Sequence, residues 1–115
     1  MMTSSPIKTC QFNLKPDTSD ENWYIFDLET NGLYDDVTHI FCVVIYDVTR
    51  KQTFTYGPDS VDDAIKHLNT GDVLIGHNII FYDIPVLRKL TDFKLNAHVI
   101  DTLICTRFIW PKEKQ

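Results

Sequence analysis

A chain of 115 residues, 43% hydrophobic and 12% aromatic, is long enough for one domain with a modest core and too apolar to be disordered. Its formal net charge of −5 argues against a free-standing binder that grips phosphates through a basic patch, although bound cations or a partner's groove would supply positive charge locally. Cys10, Cys42 and Cys105, odd in number and far apart, fit neither a disulfide framework nor a zinc motif. No apolar stretch approaches the roughly 18 residues of a membrane helix, and the N-terminus lacks the apolar core of a secretory signal. A cytoplasmic location without membrane association is therefore expected.

Residues 1–22 are rich in Ser, Thr, Asp, Asn and Pro without sustained periodicity, and read as a flexible arm ahead of a domain over 23–115. The first strand is expected over 23–28, and an acidic pair, Asp27 and Glu29, lies at its carboxyl end. Residues 37–48, "VTHIFCVVIYDV", form a long β-branched run and a second strand. Residues 50–57 return as a third through a tight turn, so an antiparallel meander is expected. Pro58 opens a helix over 59–69, where Val61, Ala64, Ile65 and Leu68 recur at helical spacing and Gly71 follows as the stop. "DVLIGHN", 72–78, is a short buried strand, 82–90 a second helix, 98–102 a fifth strand, and 103–110 the start of a third helix. The order β-β-β-α-β-α-β-α points to an α/β domain, a mixed five-stranded sheet flanked by helices.

Side chains alternate across a strand, so Asp27 and Glu29 project from one face. Two carboxylates so close repel each other unless a cation, a proton or hydrogen-bond donors intervene. As plain structure they are solvated acids at a strand end, Glu29 entering a turn built by Asn31 and Gly32. As function, they stand where α/β sheets present their ligand crevice. Asp83 divides in the same way: an Asp opening a helix with Pro85 just inside is an N-cap, but it also follows a buried strand that is expected to lie beside the first. It would then face Asp27 and Glu29. His77 and Asn78 either satisfy the strand-end turn or hydrogen-bond a substrate phosphate or sugar. Asp101 reads as the cap of the third helix and stays outside the set. Three convergent carboxylates without a His/Cys cluster suit Mg²⁺ or Mn²⁺. Two such ions, roughly 3.5–4 Å apart, clamp the attacking water and leaving oxygen of a phosphoryl displacement, with Asp27 as the bridging ligand.

"FDLETNGL" resembles the first exonuclease motif of the DnaQ-like (DEDD) 3′–5′ exonucleases, and "HNIIFYDIPVLRKL" their second. Most members have five positions from the motif His to the Asp; here His77 to Asp83 is six. That spacing, with the downstream "IDTL", is similar to the proofreading domains of family A DNA polymerases from short-tailed phages, over about Tyr24 to Ile109. The resemblance implies a ribonuclease-H-like fold, with Asp27, Glu29 and Asp83 as metal ligands and Glu29 also positioning the attacking water. It implies further that Thr30 and Leu33 line the terminal-nucleotide pocket, Leu33 as the apolar wedge, and that Asn78 contacts substrate. The substrate implied is the 3′ end of single-stranded DNA, in the cytoplasm of a phage-infected bacterium. The family's third motif, a Tyr or His followed by a fourth Asp, does not occur downstream of Asp101. A domain incomplete at its C-terminus is therefore expected, finished by a second chain that carries the missing motif and a polymerase domain and packs near Phe108, Ile109 and Trp110. The alternative is a catalytically degenerate fold kept as a binding or regulatory module of a replication complex.

Overall fold

The computed structural model describes residues 21–109, the last three as backbone alone. Of the arm read over 1–22, residues 1–20 lie outside the described residues; Asn22 donates its backbone N–H to Asp72 Oδ2 at 2.7 Å and its amide to the Thr70 carbonyl at 2.8 Å. The side chains of Phe108, Ile109 and Trp110, near which a second chain was expected to pack, also lie outside the described residues.

The apolar, β-branched stretches form five strands: β1 (Trp23–Thr30), β2 (Ile40–Asp47), β3 (Gln52–Tyr56), β4 (Val73–Gly76) and β5 (His98–Asp101). They lie in the order β3-β2-β1-β4-β5. The first three form the expected antiparallel meander, and β4 and β5 join parallel to β1. This is the mixed α/β sheet that the element order predicts. Parallel strands need crossovers, and α1 (Val61–Leu68) and α2 (Ile84–Leu90) lie within them; α3 (Thr102–Ile109) leaves the end of β5.

Alternation along β1 decides the two faces of the sheet. Tyr24, Phe26 and Leu28 are buried, whereas Asp27 and Glu29 are exposed on the opposite side. The buried face joins Val43, Ile45 and Leu74 to Ala64, Ile65 and Leu68 of α1 and to Ile84, Val86 and Leu87 of α2 in one core. At roughly 1.5–3 kcal/mol for each large aliphatic side chain taken out of water, this layer is the main source of stability. At its edge His67 of α1 stands edge-on to Tyr24 and Phe54, with ring centroids 4.8 and 4.7 Å away. Burial there pushes the imidazole below its ordinary value.

Three boundaries depart from the local pattern, each for a tertiary reason. The second strand starts at Ile40, because Asn31 Oδ1 accepts the backbone N–H groups of Thr38 and His39 (both 3.0 Å) that a longer ladder would need. The helix expected from 59 begins as a 3₁₀ turn, Pro58–Ser60, before α1. The helix expected from 82 is preceded by a π-helical turn, Ile79–Asp83, closed by an Ile84 N–H bond to the Ile79 carbonyl.

Candidate active site

β1 and β4 run parallel through the centre of the sheet, so their carboxyl ends open on the same edge. Asp27 and Glu29 stand on β1. The turn that leaves β4 carries His77 and Asn78, then the π turn that ends at Asp83. Asn78 adopts the left-handed conformation, φ 62° and ψ 31°, which Asn tolerates better than most non-glycine residues.

Asp83 is buried, only 5% exposed. It makes no side-chain capping bond to α2, which removes the N-cap as its purpose. Its carboxyl is pushed up to about 7, first by burial and next by the charge of Asp27, although the Leu28 backbone N–H donates to it. Asp27 and Asp83 therefore sense each other electrostatically across the strand end. Asp83 does not readily ionise there without a counter-charge, and the all-oxygen donors of the two side chains fit a hard divalent cation. Glu29 remains exposed on the same face as Asp27, and among the described residues no three acids, His or Cys are gathered tightly enough to hold an ion as they stand. The convergence of all three carboxylates read from the sequence is thus seen only for Asp27 with Asp83. Glu29 occupies the strand end just before a register shift between Glu29 and Thr30.

Beside Asp27 the uncovered side of the sheet forms an open cleft of about 480 Å³, floored by Ile25, Ile75 and Ile100 and rimmed by Asp27, His77 and Thr102. His77 Nδ1 lies 2.9 Å from Thr102 Oγ1. Leu33 is exposed (76%), projecting from the loop after β1. The Thr30 hydroxyl is already engaged, 2.6 Å from the Tyr82 hydroxyl.

Two residues outside the candidate set tie the site together, the first of them reinforced by Lys89. Tyr82 donates its hydroxyl to the Gly32 carbonyl at 2.5 Å, so the π turn clamps the loop after β1. Lys89 of α2 reinforces the clamp, donating to the Tyr34 carbonyl at 2.6 Å with its charge 4.9 Å from the Tyr34 ring centroid. Tyr82→Phe is expected to lower stability by about 1–2 kcal/mol, the net worth of a partly buried hydroxyl's bonds. It should also speed amide exchange at Asp36 and Val37, whose N–H groups close the loop on the Leu33 carbonyl. Unchanged exchange there would assign the loop's order to Asn31 and Lys89 instead. The second residue is Asp101, 4% exposed. It caps α3 through the Leu103 N–H, as expected, and accepts the Asn78 and Ile80 N–H groups as well. Burial alone would raise its carboxyl; backbone donors from Ile80, Asn78, Leu103 and Ile104 outweigh that and hold it below the ordinary carboxylate value.

Residues 24–111 match a family model described as the RNase_H superfamily. The chain is 33% identical over 96 residues to the DNA-directed DNA polymerase of Escherichia phage T7, covering 74% of this chain and 14% of that protein. The same figures hold for the DNA-directed DNA polymerase of Enterobacteria phage T3. The chain thus spans about 14% of the length of the curated relatives it matches. A solved family B DNA polymerase from the hyperthermophilic archaeon Pyrobaculum calidifontis superposes with a TM-score of 0.45 at 14% identity, over 60% of this chain and 10% of that one.

Proposed function

The chain belongs to the RNase_H superfamily, and on that premise we propose that it is the 3′–5′ exonuclease, or proofreading, portion of a phage-type DNA polymerase. The observation that carries this reading is the placement of the buried Asp83 within reach of the charge of Asp27, past the carboxyl ends of two adjacent parallel strands. A structural role has no need of mutually repelling carboxylates. The substrate is the 3′ end of single-stranded DNA, and the action takes place in the cytoplasm of an infected bacterium. Among the described residues, no helix is long and apolar enough to cross a membrane.

Asp27 and Asp83 would hold Mg²⁺ or Mn²⁺, and the exposed Glu29 would swing in as the further ligand. Bound ions supply the positive charge and the activated water of a phosphodiester hydrolysis. Leu33 would wedge against the terminal base. His77 and Asn78 would meet its phosphate or sugar, beside the open cleft that Asp27 rims. Thr30 would shape the nucleotide pocket through the loop it helps to clamp. A polymerase domain and a further acidic ligand, on the same polypeptide or on a partner, would complete the site.

One observation favours a second reading. As they stand, no three ligands are gathered among the described residues, which is what a module kept for binding or regulation within a replication complex would show. The deciding experiment is release of nucleotides from 3′-labelled single-stranded DNA by the purified chain with Mn²⁺, beside Asp27→Ala. Release that falls at least tenfold in the mutant would support the exonuclease reading and show that Asp27, Glu29 and Asp83 suffice without a further ligand. Equal release by both would remove Asp27 from the chemistry. Release by neither, with single-stranded DNA still retained in a binding assay, would mean that the chain needs the further acidic ligand or serves as the module.

A further inference from the structure

Asp101 does more than an N-cap requires. Its Oδ1 accepts the N–H of Leu103 at 2.9 Å, which is the cap of α3, and also the N–H of Asn78 at 2.8 Å. Its Oδ2 accepts the N–H of Ile80 at 2.9 Å. The last two donors belong to a different element, more than 20 residues away in sequence. Parallel pairing of Gly76 with Asp101 brings the two strand ends level. The left-handed Asn78 then turns two backbone N–H groups inward, and together they form a small anion-holding concavity filled by the Asp101 carboxylate.

What leaves that concavity is the π turn. A π turn is an α-helical turn with one extra residue, and here it runs from Ile79 to Asp83. If the turn were free to regularise, the surplus residue would migrate along it and residue 83 would rotate by about 100°, the angle per residue of an α-helix. Anchoring the N–H groups of Asn78 and Ile80 keeps the surplus upstream of Asp83.

We propose that Asp101 is the positioning residue that holds the π turn in register and so delivers Asp83 beside Asp27. Its bearing on ion binding rests on the reading of those two acids given above. The Leu28 N–H, which donates to the Asp83 carboxyl, is an internal reporter of where Asp83 stands.

Two variants separate positioning from capping. Asp101→Ser keeps a short N-cap for Leu103 but cannot span to Asn78 and Ile80. Asp101→Asn is isosteric and keeps Oδ1, but turns a donor toward the Ile80 N–H. Amide hydrogen exchange and Mn²⁺ binding, read by the free-ion electron paramagnetic resonance signal, are measured on both and on the wild type. The expected result is exchange at least tenfold faster at Asn78, Ile80 and Leu28, with Val43 and Ile45 protected as in the wild type. Mn²⁺ affinity should fall about 10–100-fold, as it does when the groups that orient metal ligands are removed. Leu28 exchange unchanged in both variants would overturn the proposal and leave Asp101 a helix cap. Protection lost across the whole sheet in both would also overturn it, by assigning Asp101 to global stability. If the wild type itself takes up no Mn²⁺, the ion-binding reading falls, and Leu28 still decides whether Asp101 positions Asp83.

Discussion

Asp83→Asn stabilises the ion-free chain by about 2–3 kcal/mol at pH 8 and loses that advantage near pH 4. The folded chain raises the Asp83 carboxyl from 3.8 to about 7, by burial first and by the Asp27 charge next. Between those values the folded state keeps a proton that the unfolded state releases, so stability falls as pH rises from about 4 toward 7. Above about 7 the whole penalty is present; below about 4 both states are protonated and it vanishes. Each tenfold change in proton affinity is worth about 1.4 kcal/mol, so the full penalty is on the order of 4 kcal/mol. Asparagine removes the charge and can still accept the Leu28 N–H, but its buried NH₂ lacks the carboxylate's partners, which returns about 1–2 kcal/mol. Denaturant unfolding of both proteins at pH 4, 6 and 8 measures the difference. Parallel stability curves would mean that Asp83 ionises normally. Added Mn²⁺ should reverse the order at pH 8, since an ion between Asp27 and Asp83 stabilises only the protein with two carboxylates.

The second large effect is steric. Gly76 closes β4 directly beside the backbone of β1, and a Cβ there would stand 3.0 Å from the Phe26 carbonyl oxygen and closer still to the Ile79 side chain. Neither neighbour yields easily: Phe26 belongs to the central strand, and Ile79, fully buried, opens the π turn. Gly76→Ala is therefore expected to lower stability by about 2–3 kcal/mol, the usual range for forcing an extra methyl into a packed interior. Because Ile79 opens the turn that ends at Asp83, the displacement should also weaken Mn²⁺ binding. Gly57→Ala is the control. A Cβ on Gly57 meets nothing within 4 Å and its φ is −86°, so that change should leave stability equal or raise it by about 0.4–1 kcal/mol. Equal unfolding midpoints for the two variants would show that β4 and β1 can part without cost.

Much of this architecture was legible in the residues themselves. Tyr24, Phe26 and Leu28 alternate with Asp27 and Glu29, and that period alone sets which side of β1 faces the core. The apolar spacing of Ala64, Ile65 and Leu68 marks α1, and the order of elements implies a meander followed by parallel crossovers. The acids at the end of β1 and after β4 were equally visible, as was their placement at the carboxyl edge of the sheet.

Tertiary structure decided the rest, because each remaining feature is a contact between residues 20 to more than 50 positions apart. No local rule distinguishes an Asp83 that caps a helix from one buried beneath β1; the difference lies in the neighbouring strand that supplies Asp27 and the Leu28 N–H. "IIFYD" carries no local mark of a π turn, whose extra residue is accommodated by Asp101 on one side and by the Tyr82 clamp on Gly32 on the other. Asp101 itself reads as a plain cap until β5 settles beside β4 and brings the Asn78 and Ile80 N–H groups to its carboxylate. Hydrophobic period is a property of a segment, so the sequence by itself determined the sheet and its faces. Hydrogen-bond partnership and desolvation belong to pairs of segments, so only the folded chain decided where Asp83 stands and how strongly it holds its proton.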